Sequence, residues 1–149
     1  MIDRGATTLW ETWKESDNTY SNCHPMFGSV SEWFYRWLAG IRPDSDYPGF
    51  ERFTINPNLP EGLTEVSSSY QSPNGEIVSS WKNYPDGNQE FIIAIPEGSL
   101  AMVRLPASEK QKVEFTENSS GKSFVPERID KEHFSFELPP GSYSISVHL

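Results

Sequence analysis

Apolar side chains recur at every second position through much of this 149-residue chain. Phe91, Ile93 and Ile95 form one set, and Ala101, Val103 and Leu105 another. Phe134, Phe136 and Leu138 make a third, and Tyr143, Ile145 and Val147 a fourth. A period of two places successive side chains on opposite faces of an extended strand. Each strand then has one buried face and one wet face, which favours antiparallel sheets over a parallel α/β sheet. Turn chemistry separates the sets at short spacing: Pro73-Asn74-Gly75, Pro85-Asp86-Gly87-Asn88, Glu97-Gly98. The expected strands cover residues 52–56, 63–71, 76–82, 90–95, 100–105, 112–116, 133–138 and 143–147. In 76–82, Ile77, Ser79 and Trp81 share a face. Such strands pack face to face as an antiparallel, jelly-roll-like β-sandwich in a mainly β fold.

Residues 28–42 (G-S-V-S-E-W-F-Y-R-W-L-A-G-I-R) follow another rule. Val30, Trp33, Phe34, Trp37, Leu38 and Ile41 fall at i, i+3, i+4, i+7, i+8 and i+11, one face of a helix. The spacing predicts a helix over 29–39. Ser29 and Glu32 have capping-box spacing, Gly40 suits a left-handed C-terminal position, and Pro43 blocks continuation. A face with two Trp and a Phe needs a large apolar partner. Either the β part covers it, or the partner lies outside this chain. A large exposed apolar patch drives association, so a dimer through this helix face is expected. Residues 42–49 (R-P-D-S-D-Y-P-G) read as a linker, which divides the chain into a helical part, 1–44, and a β part, 45–149.

Charge narrows the partners. The formal net charge is −9, which argues against nucleic acid and anionic membranes, both of which need a basic patch. An acidic chain rich in Trp, Tyr and Phe suits a neutral partner such as a sugar. No apolar run approaches the ~18–20 residues of a membrane span. The N-terminus has no apolar signal-peptide core, so the chain does not reveal its compartment. Cys23 is the one cysteine, which rules out an internal disulfide. Cys23 and His24 have no second ligand pair nearby, so no metal site is expected. No phosphate-cradling loop or serine nucleophile elbow is present, and no cofactor is called for.

Four of the five Trp (Trp10, Trp13, Trp33, Trp37) lie in the first quarter of the chain. Glu11 stands among them, between Trp10 and Thr12. A carboxylate against indole rings is partly desolvated, which suits a general acid or base. Thr8 and Glu11 also have capping-box spacing, and spacing alone favours that plainer role. Pro25 pushes His24 out of the α region, so His24 sits on a loop at the mouth of the helix. It could bind a substrate hydroxyl, or be an ordinary loop residue.

At Gly5-Ala6-Thr7-Thr8-Leu9-Trp10-Glu11 the chain resembles the bacterial α-L-rhamnosidases, which show a G-A-T-T-x-W-E motif. The resemblance resumes at His24, four residues before Gly28-Ser29, and at Ala39-Gly40-Ile41. It continues through Arg42-Pro43-Asp44, Pro48-Gly49-Phe50, Ile55-Asn56-Pro57 and the segment 73–81, and thins after Leu105. These enzymes are inverting glycoside hydrolases with an (α/α)6-barrel catalytic domain followed by a C-terminal β-sandwich. The resemblance implies a C-terminal fragment holding the tail of the barrel and the sandwich. It implies that Glu11 is the general base, that His24, Trp10 and Trp13 line the pocket, and that a rhamnose-containing glycan is the substrate. The general acid comes from far upstream in the family and is missing here, so the fragment by itself is expected to be inactive. For the parent enzyme the compartment is periplasmic, secreted or cytoplasmic in a bacterium. Some relatives carry Asn directly before the His; here Cys23 holds that place and Asn22 sits one earlier. The rival expectation is a free-standing β-sandwich that binds carbohydrate or protein without chemistry.

Overall fold

The computed structural model describes residues 2–12, 21–108, 110–121, 123–124 and 132–148. Its chain divides into two compact units, Met1–Phe34 and Tyr35–Leu149.

The first unit opens with a single 3-10 turn, Ile2–Arg4. Loops follow, then a 3-10 turn over Pro25–Ser29 that runs into the α-helix Val30–Trp33. A π-helical stretch, Phe34–Leu38, continues it. The helix expected over 29–39 is therefore present, but it starts earlier and changes winding twice. Pro25 is the cause of the early start, because its fixed φ favours the first helical position. Ser29 is then already helical (φ −61°, ψ −17°) and caps nothing; its hydroxyl donates to the Met26 carbonyl at 2.9 Å. The expected Ser29 capping box does not form. His24 precedes the turn at φ −114°, ψ 77°, outside the α region as Pro25 requires. Val30, Trp33, Phe34 and Trp37 remain 53%, 48%, 50% and 47% exposed. No helix among the described residues is long and apolar enough to cross a membrane.

The second unit is a sandwich-like pair of sheets. One sheet has the order β1-β2-β7-β10: Ile41–Pro43, Arg52–Ile55, Leu100–Pro106 and His133–Leu138. The other contains β3 (Glu65–Val66), β4 (Ser69–Ser72), β5 (Gly75–Asn83), β6 (Gln89–Ile95), β8 (Lys112–Glu117), β9 (Ser123–Phe124) and β11 (Gly141–His148). Its order is β3-β5-β6-β11-β8-β9, with β4 also paired to β5. Among the described residues every pairing is antiparallel except β2 with β7, where Phe53 lies opposite Ala101 and Ile55 opposite Val103. The alternating sets face inward as expected: Phe91, Ile93, Val103, Leu105, Leu138, Ile145 and Val147 are all buried in one core. Burying an aliphatic or Phe side chain of this size contributes about 1.5–3 kcal/mol.

Three details depart from the expected layout. The stretch read as a linker begins inside β1, which pairs with β2 through Arg42 and Thr54. The strand expected over 63–71 is broken into β3 and β4, with the Ser68 amide donating sideways to the Ser80 hydroxyl at 3.4 Å. β9 carries no period-two signal because it is only two residues long.

Residues 36–40 show how the sandwich holds the chain that enters it. Helix C-termini leave carbonyls without intrahelical partners. Here each is met by a different donor. The Arg42 Nε donates to the Arg36 carbonyl at 3.0 Å, and its guanidinium lies 4.4 Å from the centre of the Trp37 ring. Asn58 donates to the Trp37 carbonyl from its backbone amide at 2.9 Å and from Nδ2 at 3.0 Å. The Trp81 Nε1 donates to Leu38 at 2.8 Å, the Ser79 hydroxyl to Ala39 at 2.6 Å, and the Asn56 amide to Gly40 at 3.0 Å. Ser79 and Ala39 are both buried, so Ser79→Ala leaves a buried acceptor unmet. That substitution should cost about 1–3 kcal/mol, read as a lower urea midpoint at unchanged slope. An unchanged midpoint would remove Ser79 from the set of anchoring donors.

Candidate active-site loops

Two segments of the first unit, residues 8–11 and 21–24, run antiparallel and are laced by backbone. The Glu11 amide donates to the Ser21 carbonyl at 3.0 Å, and the His24 amide to the Leu9 carbonyl at 2.6 Å. The Thr8 hydroxyl donates to the Asn22 carbonyl. With its hydroxyl on Asn22 and no helix over 8–11, Thr8 starts no capping box, and the plainer reading of Glu11 as a helix cap fails. Glu11 instead sits in a short ladder with its side chain half-buried, between the half-buried Trp10 and Thr12.

The second segment is shaped by its own side chains. The Ser21 hydroxyl donates to the Cys23 carbonyl at 2.9 Å and accepts from the Cys23 amide at 3.3 Å. This local turn leaves Cys23 exposed with a free thiol. Asn22 contributes its backbone carbonyl to the ladder, and its side chain is exposed. His24 is half-buried, its ring 5.1 Å from Phe27 at 34°. A Cβ added at Gly28 would meet Leu9 only at 4.0 Å, an ordinary contact distance.

Glu11, Trp10 and His24 are thus carried on two paired segments, although Glu11 and His24 lie thirteen positions apart in sequence. A carboxylate accepts hydrogen bonds, and an imidazole can donate or accept, so each of the two side chains has the chemistry to bind a water or a hydroxyl. Trp13, the remaining candidate, lies outside the described residues. Among those residues no group of His, Cys, Asp and Glu could hold a metal ion. Sequence reading named no candidate residue in the β unit, yet the structure shows a groove there beside Tyr47.

Comparison with known proteins gives the loops a context. Residues 40–120 match the family described as the bacterial alpha-L-rhamnosidase C-terminal domain, and residues 1–38 the bacterial alpha-L-rhamnosidase 6 hairpin glycosidase domain. An alpha-L-rhamnosidase of Formosa agariphila is 28% identical over 98% of this chain, which covers 16% of that protein. One from Streptomyces avermitilis is 28% identical over 98% of the chain and 14% of its own length. The structure of alpha-L-rhamnosidase from Dictyoglumus thermophilum superposes with a TM-score of 0.78 at 26% identity, over all of this chain and 17% of that one. The Streptomyces avermitilis alpha-L-rhamnosidase complexed with L-rhamnose superposes with a TM-score of 0.79 at 26% identity, over 99% of this chain and 14% of that one. The chain therefore spans about one-sixth of the length of these relatives.

Proposed function

The chain belongs to the bacterial α-L-rhamnosidases, and we propose that it is the C-terminal part of an enzyme that hydrolyses terminal α-L-rhamnosyl residues with inversion. Residues 1–44 form the end of the catalytic (α/α)6 domain in this reading, and residues 45–149 the C-terminal sandwich. The observation that carries it is the ladder joining Glu11 to the His24 segment. A relative crystallised with L-rhamnose supports the choice of sugar.

Glu11 is the general base. It takes a proton from a water as that water attacks the anomeric carbon on the face opposite the leaving oxygen. His24, with Trp10 and Trp13, binds the rhamnosyl ring. Inversion requires a second carboxyl about 6.5–9.5 Å from the first, protonated, to donate to the leaving oxygen. That acid belongs to upstream sequence of the longer enzyme, so the 149-residue chain alone is inactive. The test is hydrolysis of an aryl α-L-rhamnoside, followed by NMR to identify the first anomer released. The longer enzyme should release β-L-rhamnose first, and the isolated chain should release nothing. Turnover by the isolated chain would overturn the assignment of the acid, and α-anomer as first product would overturn inversion.

The half-exposed Val30, Trp33, Phe34 and Trp37 set a further expectation for the isolated chain. An apolar face of this kind favours self-association. Sedimentation should show a concentration-dependent dimer that Trp33→Ser with Trp37→Ser abolishes. A parent chain that stays monomeric at every concentration would exclude this face as an interface.

A further inference from the structure

We infer that the β unit carries a second carbohydrate site, a groove of about 500 Å³ whose platform is Tyr47 and whose polar rim is Glu51, Arg52 and Asn74. All of its lining residues belong to the unit Tyr35–Leu149. The choice of sugar rests on the rhamnosidase reading, but the existence of the groove does not.

The platform is held from several sides. Tyr47 follows an Asp44 turn, in which the Asp46 amide donates to Asp44 Oδ1 at 2.9 Å and the Tyr47 amide to the Asp44 carbonyl at 3.3 Å. Beyond it the chain turns through Gly49 and Phe50, at φ 76° and 65°. A non-glycine residue at positive φ is strained, and Phe50 is kept there by ring contacts with Phe53 at 5.9 Å and Tyr70 at 4.9 Å. The Arg52 guanidinium braces the Tyr47 ring at 4.8 Å. Tyr47 is nonetheless 42% exposed. A fixed, exposed aromatic ring offers apolar contact to the C–H face of a pyranose at small entropic cost.

The rim supplies the hydroxyl partners. The Glu51 carboxylate has no hydrogen-bond or ion-pair partner among the described residues. Asn74 Nδ2 is committed to the Ser99 hydroxyl at 3.2 Å and the Gly98 carbonyl at 3.4 Å, which leaves its amide oxygen to accept. Arg52 Nη1 lies 4.0 Å from Glu137 with both side chains about half exposed, so the guanidinium keeps donors for a ligand. Acceptor, donor and carboxamide around one ring suit a neutral sugar. An acidic sugar would meet Glu51 and the net charge of −9.

Two further grooves among the described residues of the β unit lack a free platform. Beside Ile92, Trp81 is 2% exposed and its indole N–H is held by Leu38. Beside His148, the Tyr84 hydroxyl is held by Glu90 at 2.6 Å and its ring is covered by Lys82.

The experiment is titration of the ¹⁵N-labelled 149-residue chain with methyl α-L-rhamnopyranoside and with methyl α-D-mannopyranoside. Saturable amide shifts centred on residues 47, 51, 52, 74 and 98–100 are expected with at least one sugar. Tyr47→Ala and Glu51→Ala should each weaken the fitted affinity by about tenfold or more, whereas Tyr47→Phe keeps it. Spectra unchanged outside the groove will show that the variants fold. Absence of saturable shifts with both sugars overturns the proposal, as do shifts that neither alanine variant weakens. Shifts confined to residues 8–11 and 21–24 also overturn it, while supporting the sugar reading of those loops. Loss of hydrolysis on changing Glu11, with no groove shifts, would separate the two proposals.

Discussion

In a longer enzyme of the kind proposed for this segment, Glu11→Gln should lower kcat by about 10²–10⁴, with KM little changed. Glutamine keeps the size of the side chain and one oxygen, so the site can still hold the attacking water. It cannot take that water's proton. The loss should therefore fall on the chemical step rather than on binding. An aryl rhamnoside with a good leaving group should not rescue the rate, because it relieves demand on the acid and leaves the water step unaided. Azide, which needs no deprotonation, should restore turnover. Near-normal kcat in the variant would end the assignment of Glu11 as base. Because the Glu11 amide donates to Ser21 from the backbone, the substitution leaves the ladder intact, and the comparison reads chemistry rather than loop collapse.

The second large effect is on stability. Gly40→Ala should cost more than about 3 kcal/mol, a large part of the 5–15 kcal/mol that usually holds a domain folded. Gly40 sits at φ +77°, and a Cβ there would run into the Asn56 carbonyl group and the Pro57 nitrogen. The left-handed conformation alone costs a non-glycine residue about 1–2 kcal/mol. The clash adds to this because neither backbone can retreat. Asn56 is bonded to Gly40, and the adjoining Ile41 and Ile55 are partners in the β1–β2 ladder. Gly49 provides the control, at φ +76° with nothing within 4 Å of its Cβ position. Gly49→Ala should cost only the conformational share. Equal urea midpoints for the two variants would show that the contact with Asn56 and Pro57 carries no weight.

The sequence made the strands readable where burial is one-sided and long. Phe91 to Ile95 and Tyr143 to Val147 alternate because each strand lies between core and water, and period two is the imprint of that environment. β1 left no such imprint. It has three residues, one of them proline, and its place beside β2 is fixed by partners distant in sequence. The helix face was legible from Trp33, Phe34 and Trp37, but its winding was not. Its start is governed by Pro25, and its end is met by donors from Arg42, Asn56, Asn58, Ser79 and Trp81. Ser79 illustrates the difficulty: in a strand pattern it reads as a polar interruption, yet it is buried to bond a carbonyl forty residues away. Glu11 and His24 could be named from the sequence through family resemblance. The ladder that brings their segments together could not, because it depends on tertiary pairing across residues 12–20. The Tyr47 groove was hidden for a similar reason, since its lining comes from residues 47, 51, 52, 74, 98–100 and 140.

The last of the strands in sequence order, β11, is not at an edge. It lies between β6 and β8, with Tyr143 opposite Ile93 on one side and Glu117 on the other. During synthesis, β5 and β6 can pair as soon as they leave the ribosome, but the far edge of β6 stays open until residues 141–148 emerge. An open strand edge invites pairing with other chains. The nascent protein must therefore keep a half-built sheet soluble until translation of this region is nearly complete. Glu90 on the wet face of β6 is already in place during that interval, whereas Ser144 and Ser146 arrive only with β11. A ribosome stall before Gly141 would leave the backbone of β6 unpaired along that edge, and such stalled chains should be found bound to chaperones rather than free.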